Sequence, residues 1–394
     1  MPVSLRLHLQ SIVIILACLL LLIPRAQGAS PPVKPPQDNA ASGLPLGQML
    51  LVGFSGSVID EGHPILADIR KRHLGGVILF NYGPVNGQPA GNITSPRQLR
   101  KLTTRLQTAA PSKTPLFIAV DQEGGRICRL KESFGFPATV SFASLGQRNN
   151  LALTHRRAEE IACTLQRAGI NLNLGPVVDL NVNPANPVIG KLQRSFSADP
   201  AVVTAHAREV IRAHREKGVL CSLKHFPGHG SSAADSHKGF VDVTDTWTQK
   251  ELQPFRTLIK EGLADTVLTA HVFNARLDPE VPATLSNATI EGLLRKQLGF
   301  NGVVISDDLT MGAIAGQYSL EESVKKALNA GVDMLLLADN RPDTTTRMLA
   351  VLQKLIDSGS VSRQRIVQSL QRIERLKARL HDNAQGGPCL TRQP

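Results

Sequence analysis

Between residues 51 and 337 the chain repeats one pattern: a short apolar run, then an amphipathic stretch at helical spacing. The runs fall at 51–54, 76–80, 116–120, 172–180, 219–223, 266–271, 302–305 and 334–337. Each reads as a buried strand. The amphipathic stretches between most of them include 96–109, 154–168, 202–217, 249–261, 289–298, 321–330 and 348–358. Ser95-Pro96 opens one helix, Gly169 and Gly218 close two more, and Ser319 begins a Ser-x-x-Glu capping box ending at Glu322. Eight strand candidates alternating with helices over roughly 340 residues predict an α/β fold, a single-domain (β/α)8 TIM-type barrel. A doubly wound open sheet is the alternative, but Leu51-Val52-Gly53-Phe54-Ser55-Gly56 has no G-x-G-x-x-G phosphate loop. A last amphipathic stretch, 362–380, predicts an extra C-terminal helix on the outside of the barrel.

The flanks read differently. Residues 1–28 resemble a secretory signal peptide, with Arg6 and His8 ahead of an apolar core at 12–23 and small residues before Gly28. Cys18 follows Leu16-Ala17, a weak likeness to a lipoprotein cleavage site, so an N-terminal lipid or an uncleaved anchor is the one expected route to membrane attachment. Residues 29–43 form a Pro-rich linker, 44–381 the barrel domain, and 382–394 a disordered tail. The chain is therefore expected to be exported, to the periplasm or outside the cell. After the signal, Cys128, Cys163, Cys221 and Cys389 contain no C-x-x-C pair, which argues against zinc and thioredoxin chemistry. Cys163 and Cys221 read as small buried apolar residues, although an oxidising compartment permits a disulfide. The net charge of +12 is spread along the chain and suits an anionic setting as well as no charged partner at all. At 4% aromatic residues, a nucleic-acid stacking surface is disfavoured.

The most informative stretch is Lys224-His225-Phe226-Pro227-Gly228-His229-Gly230, followed by Asp235 and His237. A cation and a histidine end the fifth run, and a Gly/Pro turn leads into a loop of small residues. A carboxylate two residues from an imidazole can touch it in extended backbone and fix its tautomer. The combination suggests an acid/base group carried on a mobile loop. Polar groups also end other runs: Asp121, Glu123, Arg126 and Arg129 after the third, Arg194 after the fourth, His271 after the sixth, Asp307 and Asp308 after the seventh, Asp339 after the eighth. In a barrel these positions line the active-site face, and such a set of donors and acceptors suits a sugar. Bland readings stand beside this one. Asp308 can cap the next helix, Asp339 can brace a loop, Glu123 can pair with a neighbouring arginine, and Asp235–His237 can be a loop brace. Metal ligation by His225, His229, Asp235 and His237 is disfavoured, because Pro227, Gly228 and Gly230 preclude a helical H-x-x-x-H site. A Ser-His-Asp hydrolase lacks its G-x-S-x-G elbow.

These segments resemble glycoside hydrolase family 3, specifically its single-domain β-N-acetylglucosaminidases. The resemblance covers residues 45–340 and rests on Lys224–Gly230 with Asp235 and His237, on Asp121–Arg126, on Arg194-Ser195-Phe196, on Ala270-His271-Val272, and on Ser306-Asp307-Asp308-Leu309 with Met311. It implies a retaining exo-glycosidase releasing terminal GlcNAc from peptidoglycan fragments or chitooligosaccharides. Asp307 would be the nucleophile, and His237 polarised by Asp235 the acid/base. Asp121, Arg129, Arg194, Lys224 and His225 would bind the sugar. No metal or organic cofactor is implied, the partner is a carbohydrate, and a monomer is expected. This departs from the two-carboxylate scheme of most glycosidases. The chain is also expected to lack the second domain of β-glucosidase-type members, and cell-wall-recycling members work in the cytoplasm whereas this chain is expected to be exported. A β-glucosidase-type or phosphorolytic member and a non-catalytic glycan-binding envelope protein are the alternatives.

Overall fold

The computed structural model describes residues 43–82, 91–111 and 114–382, together with Gly387 and Cys389. The predicted signal peptide (1–28), nearly all of the linker (29–43) and most of the tail (382–394) lie outside the described residues.

Eight parallel strands make one sheet: β1 Leu50–Val52, β2 Gly76–Leu79, β3 Phe117–Val120, β4 Leu172–Asn173, β5 Leu220–Phe226, β6 Thr266–Thr269, β7 Val303–Ile305 and β8 Leu335–Leu337. Each strand from β1 to β6 pairs with the next, and β8 pairs with β1 through Leu50–Leu335, Leu51–Leu336 and Val52–Leu337. A parallel bridge between Ile305 and Met334 brings β7 against β8, so the sheet curls into the predicted barrel. Every strand residue is buried, as expected where side chains fill the barrel on one face and meet helices on the other.

The helices follow their local signals. Pro96–Ala109 is capped by Ser95, whose hydroxyl accepts from the Gln98 N–H, and Leu320–Ala330 by Ser319, which accepts from the Glu322 N–H. Gly169 takes the left-handed conformation that ends Leu151–Ala168, with φ +74°. The stretch 172–180 does not form one long strand. Pro176 has no N–H to donate, and the Gly175 N–H turns back to Asn173 O, so the ladder stops after Asn173 and resumes only as a Val177–Lys224 bridge.

The expected extra C-terminal helix, Arg363–Asp382, is present. Its cations reach the strand-entry end. Arg365 and Arg372 bind Asp333 ahead of β8, Arg379 binds Asp265 ahead of β6, and Lys377 donates to Gly75 O ahead of β2 and to Gln48. Asp333 and Asp265 are fully buried, so these cations neutralise charges that burial would otherwise penalise severely. The reading of Cys163 as an unbonded core residue is also corrected. Cys163, on Leu151–Ala168, forms a disulfide with Cys389 across 226 residues, while Cys128 and Cys221 are free and buried. Spacing alone carries no information about such a distant pairing.

Candidate active site

Strand β5 carries Lys224 and His225 into the centre of the carboxyl-end face. Lys224 Nζ lies 2.7 Å from Asp121 Oδ1, just beyond β3, and 2.7 Å from Glu123 Oε1. Glu123 sits on a small hairpin, Gln122–Gly124 with Ile127–Cys128, that also positions Arg129. Arg194 arrives from the loop after β4. Its Nε and Nη2 donate to Glu123 Oε2 and Oε1 at 2.8 and 2.7 Å, its Nη1 donates to Val188 O, and its Nη2 lies 3.2 Å from His225 Nε2. Arg129 approaches Asp121 at 3.5 Å and lies over the rings of Phe80 and Tyr82, 5.5 and 5.0 Å from their centroids. The structure thus brings Asp121, Arg129, Arg194, Lys224 and His225 into one contiguous network, with Glu123 paired to an arginine as the bland reading held.

The electrostatics of the network are balanced. Burial opposes ionisation of Asp121, but Lys224 and Arg129 outweigh it and hold its pKa below the usual carboxylate value. Glu123 is likewise opposed by burial and lowered by Arg194 and Lys224. His225 is held well below the ordinary imidazole value by burial, with Arg194 and Lys224 adding to it, so the ring is neutral. Its tautomer is set from below: His225 Nδ1 lies 2.6 Å from Asp179 Oδ2, which leaves Nε2 as the acceptor facing Arg194.

Asp179, which the sequence did not single out, orients the His225 ring from beneath the site. It is completely buried and accepts from the backbone N–H groups of His225 and His229 as well as from the His225 ring. Burial raises its pKa against the pull of these donors. The available signal was a lone carboxylate inside the apolar run Val177-Val178-Asp179-Leu180.

Asp307 follows β7. Its N–H donates to Thr269 Oγ1 at 3.2 Å, and its Oδ1 accepts from the Asp308 N–H at 2.9 Å. Burial would raise its pKa, but the nearby histidines, His271 foremost, and the Asp308 N–H outweigh that and leave it lowered, so this carboxylate is ionised at neutral pH. Asp308 instead braces the rim: it accepts from the N–H groups of Thr310 and Ala338 and is pushed up by burial. Asp339 accepts from the Thr344 hydroxyl, again a brace. His271 spans Thr284 Oγ1 and Asp308 O.

The Asp235–His237 pair forms as its spacing suggested, with His237 Nδ1 2.8 Å from Asp235 Oδ1 and the His237 N–H donating to the same oxygen at 3.0 Å. Burial opposes and the two His237 hydrogen bonds favour the ionised form of Asp235, and its pKa is lowered. The imidazole is 64% exposed while its carboxylate partner is 22% exposed, which leaves Nε2 open to solvent and to any bound molecule. His229 does not join them. Its Nδ1 and Nε2 meet Ser232 Oγ and Ser236 Oγ, so it is an internal brace of the loop.

Beneath the start of this loop lies Glu251, also missed from sequence. It is buried, one oxygen accepts from the Gly230 N–H at 3.1 Å, and the other has no hydrogen-bond partner among the described residues. Burial pushes its pKa up to about 7, and neighbouring Asp179 adds to the rise while Ser231 and the Gly230 N–H oppose it. Below the unfolded value of 4.5 both states hold the proton and nothing is lost. Between 4.5 and about 7 only the folded state keeps it, so stability falls as pH rises, by a total of about 3 kcal/mol. Glu251→Gln is therefore expected to melt higher than the wild type at pH 8 and nearly equally at pH 5. An offset of the same size at both pH values in thermal melts would exclude buried ionisation as its source.

A parallel barrel thus gathers ionised carboxylates, cations and a neutral imidazole at its carboxyl end, with a solvent-facing His–Asp pair above them, an arrangement suited to a polar ligand. The profile of the Glycosyl hydrolase family 3 N terminal domain matches residues 45–376, and the chain belongs to that family. Relatives include Beta-hexosaminidase A of Pseudoalteromonas piscicida, 34% identical over 80% of this chain and 55% of its own length. A Beta-hexosaminidase of Nitrosomonas eutropha is 32% identical over 84% of this chain and 92% of its own. The chain thus spans about half the length of the first relative and most of the second. Among solved structures, a glycoside hydrolase family 3 beta-N-acetylglucosaminidase from Paenibacillus sp. superposes with a TM-score of 0.78 at 35% identity, over 88% of this chain and 64% of that one. A Beta-N-acetylhexosaminidase from Beutenbergia cavernae gives 0.75 at 28% identity, over 85% and 97%.

Proposed function

We propose that this glycoside hydrolase is an exo-acting, retaining β-N-acetylglucosaminidase that removes terminal β-linked GlcNAc from peptidoglycan fragments or chitooligosaccharides. The observation that carries the reading is that Asp307, at the end of β7, and the exposed His237 with its Asp235 partner share one face, the His237 loop being hydrogen-bonded to the connection that follows Asp307. Asp307 would attack the anomeric carbon as His237, oriented by Asp235, donates a proton to the departing oxygen. The resulting glycosyl-enzyme would be cleaved by water that gives its proton to His237 Nε2. Asp121, Arg129, Arg194, Lys224 and His225 would hold the sugar hydroxyls through charge-assisted hydrogen bonds. One chain supplies every group in this scheme, which suits a monomer, and no metal or organic cofactor enters it. Export to the periplasm or beyond is part of the proposal. The signal-like residues 1–28 and the Cys163–Cys389 disulfide both favour an oxidising compartment.

The testing experiment uses residues 29–394 with aryl β-N-acetylglucosaminide and aryl β-glucoside, each with and without phosphate. Strong preference for the acetamido sugar, unchanged by phosphate, is expected. Turnover of the glucoside alone would overturn the substrate, acceleration by phosphate would move the reaction to phosphorolysis, and silence on both would favour glycan binding without catalysis.

A further inference from the structure

The loop that carries Asp235 and His237 is anchored unequally. Its root is held by several side chains. Asn186 Nδ2 donates to His229 O and Ser232 Oγ at 2.7 and 3.0 Å, Asn183 donates to Ser232 O at 3.0 Å, and Glu251 accepts from the Gly230 N–H. The tip is different. Ala233, Ala234, His237 and Lys238 are exposed, and only Ser236 between them is buried. Two backbone hydrogen bonds tie this tip to the segment after β7. The Gly312 N–H donates to His237 O and the Ala313 N–H donates to Ser236 O, each at 3.2 Å. Gly312 and Ala313 open the short helix Gly312–Ala315, at helix-start positions whose N–H groups have no partner within the helix. They lie five and six residues beyond Asp307, on the same connection. The approach is close: a Cβ on Gly312 would stand 2.9 Å from His237 O and 2.9 Å from Lys238 C.

We propose that Gly312 and Ala313 form a backbone latch that seats the acid/base loop against the nucleophile's connection, making Gly312 a positioning residue for proton donation. The inference rests on the roles proposed above for Asp307 and His237. Because the latch is made of two long backbone bonds at an otherwise exposed tip, it can open and close without disturbing the barrel, as a loop that must admit substrate and release product requires. A glycine is needed for the approach, since any side chain there meets backbone atoms that cannot rotate away.

The test compares Gly312→Pro and Gly312→Ala with the wild type. Met311, at φ −64° and ψ 148°, already has the conformation favoured before proline, and proline is tolerated at the first helical position, so the substitution fits locally. It removes the N–H that reaches His237 O and adds ring atoms to the contact. With Gly312→Pro, kcat/KM for an alkyl β-N-acetylglucosaminide, whose leaving group needs protonation, is expected to fall about 10–100-fold. For a dinitrophenyl β-N-acetylglucosaminide, whose leaving group does not, the fall is expected to stay within about threefold. Gly312→Ala keeps the N–H and should lie between. Hydrogen exchange of the amides at 235–238 should quicken in Gly312→Pro while β3 and β5 stay protected. Equal losses on the two substrates would overturn the positioning role, and unchanged exchange at 235–238 would overturn the latch. If the wild type turns over neither glycoside, the functional reading fails by itself, and the exchange measurement still decides whether the latch exists.

Discussion

Replacing Asp307 by Asn is expected to lower hydrolysis of an aryl β-N-acetylglucosaminide by on the order of 10⁴-fold or more, with little change in stability. Asn is nearly isosteric, and its amide oxygen can still accept the Asp308 N–H that Oδ1 accepts now. What it lacks is the charge. In the folded protein the surrounding histidines, His271 foremost, and the Asp308 N–H favour the ionised carboxylate against the pull of partial burial, so the group is stabilised in the state a nucleophile requires. The competing chemistry is attack by the substrate's own acetamido oxygen, which would leave Asp307 as a bystander or an electrostatic helper. Intact-protein mass spectrometry of quenched wild-type turnover separates these. An added N-acetylhexosaminyl mass, mapped to the peptide containing Asp307 and missing from Asp307→Asn, is expected. A variant retaining a tenth or more of wild-type turnover would remove Asp307 from the nucleophile's role.

The second large effect concerns His237. With His237→Ala, kcat/KM should fall about 10²–10⁴-fold for glycosides with poor leaving groups and far less for dinitrophenyl substrates, because only the former need a proton in the transition state. Asp235→Asn should produce a smaller loss with the same dependence. The amide can no longer stabilise a protonated ring, although it can still accept from the Nδ1–H that now meets Oδ1 at 2.8 Å. Since the imidazole is largely exposed, neither change should lower stability noticeably. Equal losses across leaving groups would exclude the proton-donor role and leave the pair as a loop brace.

Both predictions concern residues visible in the sequence, and the reason lies in their separation along the chain. Asp235 and His237 touch because two residues of extended backbone bring their side chains within reach, a local matter that any fold preserving the loop would retain. Asp307 was legible because a charged group ending an apolar run in a barrel lies on one face of the molecule. Asp179 and Glu251 were not legible. Asp179 sits inside an apolar run interrupted by Pro176, and its importance comes from His225, 46 residues away, whose ring it orients. Glu251 looked like any acidic residue near the start of a helix, and only the fold shows that its carboxyl is sealed beneath Gly228 and Gly230.

By itself the sequence determined the strand–helix repeat, its eight strands, a helix in every connection but the first, where Pro64–Arg72 lies, and the types of chemical group at the strand ends. Those properties follow from periodicity and short-range spacing, which act within a few residues. The tertiary structure alone decided which groups meet. Closing the sheet places Asp121 against Lys224 across 103 residues, sets the cations of the C-terminal helix on Asp333 and Asp265 at the strand-entry end, and joins Cys163 to Cys389. Such contacts depend on strand order and barrel closure, so no local pattern encodes them, and the seating of the His237 loop on Gly312 belongs with them.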